Sequence, residues 1–152
     1  MSYLRDIPRW SCQVRHGYSL FCAALLLLAT HLGATEQFTL DGARAAAGKG
    51  NAQALYFLGK HYAKGDGVPQ DYAKAAEYLR RSAEQGYALA QNDLGAFYAK
   101  GLGVKQDYAE AASWYGKAAE QGDALAQYSL GRSYWLGRGV ITNRQAALKW
   151  LN

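Results

Sequence analysis

The sequence predicts an all-α fold, a solenoid of stacked helix pairs, and three observations support this prediction. The same motifs recur at a period of 36 residues, apolar residues within each period follow helical spacing, and glycine-rich segments interrupt each period at the same place. One helix pair cannot bury its own apolar face, whereas stacked pairs cover one another. The 152 residues, half of them apolar, are enough for one such domain.

Each repeat opens with a glycine and carries the same series of motifs. A Leu-Gly pair is followed by a tyrosine three residues after the glycine, then by Gly-x-Gly-Val, a helix-capping residue and an alanine-rich segment. The predicted repeats span residues 50–85, 86–121 and 122–152, and the third is incomplete. The recurring positions include Leu58-Gly59, Leu94-Gly95 and Leu130-Gly131, and the capping positions are Asp71, Asp107 and Asn143.

Two helices are predicted in each repeat. In the first repeat, the first helix runs from about Ala52 to Lys64, and the segment 65–68 ends it because glycine tolerates the positive φ found at helix C-termini. Asp71 is placed to accept hydrogen bonds from the free N–H groups of the next turn, so the second helix starts there and ends near Gln85. The mid-helix glycines, such as Gly95, lack a side chain and therefore let another helix approach closely.

The N-terminal part of the chain differs from the repeats. Within residues 1–34, three arginines precede a short apolar run at residues 20–29, and the small pair Gly33 and Ala34 follows. This order is typical of a secretory signal peptide, and the alternative is an uncleaved membrane anchor. Both interpretations predict that the rest of the chain is exported, and hence periplasmic or secreted. Residues 35–49 are predicted to form a partial N-terminal capping helix.

Composition excludes several classes of function for the chain after residue 34. Both cysteines, Cys12 and Cys22, lie before that point, so no disulfide, thiolate zinc site or cysteine nucleophile is expected beyond it. Removing three arginines and one aspartate from the chain's 17 basic and 12 acidic residues leaves a net charge of +3. The charges are mixed in sign and form no basic stripe, so no nucleic-acid partner is predicted.

The combined motifs resemble a known family. Leu-Gly-x-x-Tyr, Gly-x-Gly-Val, Asp-Tyr-x-x-Ala-Ala and Ala-Glu-Gln-Gly at this period are similar to Sel-one-like repeats, relatives of the tetratricopeptide repeats, over roughly Asp41 to Asn152. The resemblance implies a right-handed α-solenoid of the bacterial secreted type, acting as an adaptor or scaffold for a protein or peptide partner. The third repeat departs from the pattern at residues 141–144, and its second helix lacks five residues. We therefore expect this end to fray, to self-associate, or to be covered by a partner or by further chain.

No catalytic constellation is evident. The one histidine after residue 34, His61, occupies a position that varies between repeats and has no cysteine to act with. The Gly-x-Gly segments recur as turns with no preceding strand, so they are not phosphate-binding loops. We predict no enzymatic activity, no cofactor and no metal. Besides the adaptor, two alternatives are a structural subunit that assembles through its solenoid ends and, on weaker grounds, a periplasmic hydrolase.

The resemblance also implies a binding surface. In related solenoids the first helix of each repeat faces a concave groove, where lysine and arginine would select for an acidic partner and tyrosine would supply anchoring contacts. No membrane partner is predicted for the mature body. The alternative is an ordinary amphipathic surface with no partner. The predicted partner-binding residues are Tyr56, Lys60, Lys64, Asn92, Lys100, Tyr128 and Arg132.

Overall fold

The computed structural model describes residues 40–151, and within that range the chain forms seven helices and no strand. The predictions made for residues 1–34, for the first residues of the capping helix at 35–49, and for Asn152 lie outside the described residues. Helix α1 occupies residues 40–48. The other helices are α2 (Ala52–Lys64), α3 (Tyr72–Glu84), α4 (Ala88–Lys100), α5 (Tyr108–Glu120), α6 (Ala124–Leu136) and α7 (Arg144–Leu151).

The helices pair within each repeat and pack on the next repeat in turn. From α2 to α7, every helix contacts the helix that follows it along the chain. This arrangement confirms the predicted α-solenoid with its period of 36 residues.

The predicted capping residues start the second helix of each repeat. The Asp71 carboxylate accepts a hydrogen bond from the main-chain N–H of Lys74 at 3.0 Å. Asp107 accepts two such bonds, and Asn143 also accepts two, from Gln145 at 3.1 Å and from Ala146 at 3.0 Å. The third repeat therefore begins its second helix in the same way, although an asparagine replaces the aspartate.

The core runs through the helix pairs as a series of small clusters. Leu79 and Leu94 are fully buried between the first and second repeats, and Leu130 is buried in the cluster that follows. At the N-terminal side, Ala47 of α1 belongs to one buried cluster with Leu55. Each repeat thus shares its apolar side chains with its neighbours.

Glutamines at equivalent positions join successive repeats. The Gln91 side-chain amide donates a hydrogen bond to the carbonyl oxygen of Ala83 at 3.1 Å, and Gln127 does the same to Ala119 at 3.2 Å. These acceptors lie in the last turn of a second helix, where main-chain carbonyls lack partners within the helix. The junctions are therefore closed by polar contacts as well as by apolar packing.

Candidate protein-binding groove

The structure places the predicted partner-binding residues on the first helices of the repeats, and we call their surface the groove face. Tyr128 is 54% exposed, Arg132, Lys64 and Lys100 are exposed, and Tyr56 and Lys60 are half-buried. The assignment of these residues to a partner stays a prediction. The groove face consists of Tyr56, Lys60, Lys64, Asn92, Lys100, Tyr128 and Arg132.

Contacts between α2 and α4 show that neighbouring first helices lie side by side on this face. Lys60 Nζ donates to Asp93 Oδ2 at 2.7 Å, and the ring centroids of Tyr56 and Tyr87 are 5.2 Å apart. Burial lowers the pKa of Lys60, but the hydrogen bond and the charge of Asp93 outweigh it and raise that pKa overall. Lys60 therefore keeps its charge, but Asp93 compensates that charge, and Lys60 is less available to an acidic partner than its sequence position suggests.

Asn92 is the buried member of the groove face. Its side chain is only 9% exposed, and its Nδ2 donates a long hydrogen bond of 3.4 Å to Asp93 Oδ1. Asn92 thus helps to orient Asp93, and most of its surface is withdrawn from any partner.

Arg132 carries positive charge on the groove face at the third repeat. The Arg132 guanidinium lies 5.7 Å from the centre of the Tyr128 ring, one helical turn away. Among residues 40–151, Arg132 has no acidic group within ion-pair distance. An exposed tyrosine with an unpaired arginine stacked on it is the kind of pair that is common among interface anchors.

A cleft opens beside Arg132, between α4, α5 and α6, and we call it the third-repeat cleft. Its volume is about 90 Å³, and no acidic side chain lines it. Its polar lining comes from Tyr108, Tyr115, Ser129, Arg132, Ser133 and Arg138.

Tyr115 forms part of the wall of this cleft and is 8% exposed. Burial raises the pKa of its phenol, with a smaller contribution from the charge of Asp93, while a hydrogen bond with Ser129 acts in the opposite direction. The phenol is therefore held in its protonated form, able to donate a hydrogen bond.

Sequence reasoning identified Arg132 but missed Arg138, and it treated Ser133 only as a variable position. The signal was present in the repeat alignment, because these positions differ between the second and third repeats. Leu102 aligns with Arg138, and Phe97 aligns with Ser133. A position-by-position comparison of repeats would have shown that only the third repeat of the three combines a small side chain with a second arginine.

Apolar residues of α7 are exposed. Leu148 and Leu151 are 51% and 40% exposed, whereas the aligned Ala76 and Leu79 of the first repeat are buried. Self-association through this helix stays a prediction.

Two kinds of feature are absent from the part of the chain that the structure describes. Within residues 40–151, no group of three or more histidine, cysteine, aspartate or glutamate side chains is arranged to hold a metal ion. No helix in the same range is both long enough and apolar enough to cross a membrane.

The comparisons with known proteins agree with this architecture. The model of the Sel1 repeat matches residues 52–87, 88–123 and 124–152, and each match begins two residues after the predicted start of a repeat. No curated protein matches the chain.

Three solved structures resemble the chain. A protective antigen of uropathogenic Escherichia coli strains, described as displaying an SLR fold, is 44% identical with a TM-score of 0.71 over 72% of this chain and 24% of its own. A Sel1 repeat protein of Oxalobacter formigenes is 40% identical with a TM-score of 0.67 over 73% of this chain and 84% of its own. The cysteine rich protein B of Helicobacter pylori is 33% identical with a TM-score of 0.51 over 53% of this chain and 62% of its own. The chain thus spans about a quarter of the first of these proteins.

Proposed function

Because the chain belongs to the Sel1 repeat family, we propose that it is an exported, non-enzymatic adaptor that binds a protein or peptide partner through its groove face. Sel1 repeat proteins are generally protein–protein interaction scaffolds and are typically non-catalytic. The observation that carries the proposal is the exposed Tyr128, with the unpaired Arg132 stacked on it. Tyrosine and arginine are over-represented among residues that dominate binding energy.

Further exposed apolar area on α6 supports a binding role for this part of the chain. Leu125 is 67% exposed, Trp135 is 48% exposed and Leu136 is 49% exposed. Scattered exposed apolar residues are normal on a protein surface, but four such side chains on one helix, Tyr128 included, provide contact area that a partner would bury.

The charge of the groove face favours an acidic partner. Lys64 and Lys100 are exposed in the last turns of α2 and α4, and Arg132 is unpaired among the described residues. Because Lys60 is paired with Asp93, the attraction comes from Lys64, Lys100 and Arg132, one on each repeat. Positive charge at a binding surface accelerates encounter with an acidic segment and discriminates against basic ones.

The surroundings of His61 support a non-enzymatic role. Its Nδ1 lies 2.7 Å from the carbonyl oxygen of Asp66, and its ring lies 4.2 Å from that of Phe57. These contacts stabilise the turn after α2. No serine or cysteine nucleophile takes part in them, and a histidine in this setting works as a structural residue.

Export is proposed from the pattern of residues 1–34. Expression of the full chain in a bacterial host, followed by N-terminal sequencing, tests it. We expect the mature protein to begin near Thr35 and to leave the cytosol. Full-length chain recovered from the cytosolic fraction would contradict export and would leave the groove proposal untouched.

The groove proposal is tested with the partner that the full chain captures in its native host. We expect Tyr56→Ala combined with Tyr128→Ala to weaken partner affinity by about 10–100-fold, because truncated anchors of this kind cost on the order of 1.4–2.8 kcal/mol. Calorimetry measures the affinity, and circular dichroism checks that helicity is retained.

The control is Ile141→Ala, which removes a 90% exposed apolar side chain from the segment between α6 and α7, outside the groove face. We expect this variant to bind the partner as the parent does. Equal affinity of the parent and the groove double variant would place the binding surface elsewhere on the solenoid.

A further inference from the structure

We propose that the third-repeat cleft binds a carboxylate group of the peptide partner. The inference rests on the proposed function and specifies the chemistry that its third repeat selects. The cleft is lined by two arginines, Arg132 and Arg138, and by three further residues that carry hydroxyl groups, Tyr115, Ser129 and Ser133. The Ser133 hydroxyl donates to the main-chain carbonyl oxygen of Ser129 at 2.9 Å. The two arginines and the hydroxyl groups of Tyr115 and Ser129 are therefore the side-chain groups that can donate hydrogen bonds to an anion.

Each of the two arginines lies over an aromatic ring. Arg132 lies 5.7 Å from the centre of the Tyr128 ring, and Arg138 lies 5.5 Å from the centre of the Tyr108 ring. The Tyr108 hydroxyl in turn accepts a hydrogen bond from Gln106 at 3.1 Å. Stacking of this kind restricts the guanidinium before a ligand arrives, which lowers the entropy cost of binding.

The positive charge at the cleft is not compensated by the residues around it. Within residues 40–151, neither arginine forms an ion pair, and no acidic side chain lines the cleft. Asp93, whose charge acts on Tyr115, is paired with Lys60 at 2.7 Å. An anion entering the cleft would therefore meet two guanidinium groups with no competing carboxylate in the lining.

The preceding repeat junction has no such site, which makes the cleft a specific feature of the third repeat. At that junction the aligned position holds Phe97, which is 8% exposed and packs edge-on against Tyr72 at a centroid distance of 6.2 Å. The third repeat therefore lacks the aromatic side chain that fills the preceding junction, and it adds two arginines. Arg132, Ser133 and Arg138 stand where the second repeat has Ala96, Phe97 and Leu102.

The size and chemistry of the cleft fit a carboxylate. A volume of about 90 Å³ has room for several water molecules and hence for one small planar group. Guanidinium groups bind carboxylates through paired, parallel hydrogen bonds, and the hydroxyl groups supply further donors. The apolar lining from Ala99 and Leu136 is suited to contact a neighbouring aliphatic part of the peptide.

The test is a titration of the isotope-labelled full chain, followed by NMR at the arginine Nε–Hε groups. The probes are acetyl-Gly-Gly-Leu-Leu with a free C-terminal carboxylate, the same peptide as its C-terminal amide, acetyl-Gly-Glu-Leu-Leu as its amide, and inorganic phosphate. We expect the amide of the first peptide to bind at least about tenfold more weakly than its free acid, the loss typical of a charged hydrogen bond. The glutamate peptide distinguishes a side-chain carboxylate from a chain terminus as the source.

Three variants locate the site. Ser133→Phe restores the residue found at the preceding junction and should fill the cleft, while Arg132→Gln and Arg138→Gln each remove one cation. We expect each variant to lose at least about tenfold in affinity for the carboxylate probes. The control is Arg81→Gln, which also removes one positive charge, but from α3, where Arg81 lies over the Tyr78 ring. This variant should bind the carboxylate probes as the parent does.

The outcomes separate this inference from the proposed function. Equal binding of free acid and amide, or binding that survives Ser133→Phe together with both arginine variants, would overturn the carboxylate site. Binding of phosphate without binding of either carboxylate peptide would also overturn it, in favour of a free-anion site. In either case, if the Tyr56→Ala, Tyr128→Ala double variant binds the captured partner more weakly than the parent does, the groove proposal stands.

Discussion

At the scale of single residues, the mid-helix glycines show how sequence and structure complement each other. A Cβ added at Gly95 would lie 2.8 Å from Cδ1 of Tyr115 and 3.1 Å from the carbonyl oxygen of Ala111. The close approach predicted from the recurring Leu-Gly pair is therefore confirmed, and α5 is the helix that approaches. Gly116 also lies within a helix, but a Cβ there would meet no atom within 4 Å.

This contrast predicts opposite effects of the same substitution. We expect Gly116→Ala to raise the free energy of unfolding by about 0.5–1 kcal/mol, because alanine has the higher helix propensity and the site has room. Gly95→Val should lower it by about 2–4 kcal/mol, because the side chain overlaps α5. Denaturant titration measures both values. A melting temperature of Gly95→Val within a degree or two of the parent, or a destabilised Gly116→Ala, would contradict this account.

The ion pair between Lys60 and Asp93 could not be predicted from the sequence. Alignment at the repeat period places Lys60 in one row with Ala96 and Arg132, and that row predicts a basic surface. The partner of Lys60 is offset from the row, because the ion pair crosses from α2 to α4 between residues 33 apart. Such an offset depends on how adjacent helices are rotated, which a period alone does not specify.

At the scale of helices and turns, the Gly-x-Gly segments serve a purpose beyond ending a helix. The first glycine, as in Gly101, has a φ of 69° and follows α4 directly. The second glycine packs on the preceding repeat, where a Cβ at Gly103 would overlap the main chain of Tyr72 and one at Gly139 that of Tyr108. The sequence predicted the positive φ, but the contact between repeats became visible only in the packed structure.

Two alanine substitutions distinguish these purposes. Gly101→Ala adds a Cβ that lies 3.3 Å from Cβ of Gln106, so its cost is mainly that of the positive φ, about 1–2 kcal/mol. Gly103→Ala bears the same conformational cost and also displaces the turn from α3. We expect Gly103→Ala to be the more destabilising of the two by at least about 1 kcal/mol in denaturant titrations. Equal losses would show that the turn does not hold the repeats together.

At the scale of the whole molecule, the solenoid was predictable because the motifs that specify it lie close together in the sequence. Helix starts, helix ends and close contacts each follow from motifs within 36 residues, and stacking follows from the apolar faces that single pairs leave open. The third-repeat cleft was not predicted, because it arises where a repeat departs from its own pattern at Ser133 and Arg138. Regular positions thus predict the scaffold, while irregular positions indicate where the repeats differ in what they bind.

Site-specific photo-crosslinking tests the central claim, partner binding through the groove face, most directly. A photoreactive phenylalanine analogue replaces Tyr128 on α6 in one full-length variant and the exposed Glu77 on α3 in another, and each is irradiated with the captured partner. The account predicts a covalent adduct from position 128, reduced by an excess of unlabelled parent chain, and none from position 77. An adduct from position 77 with none from position 128 would contradict it.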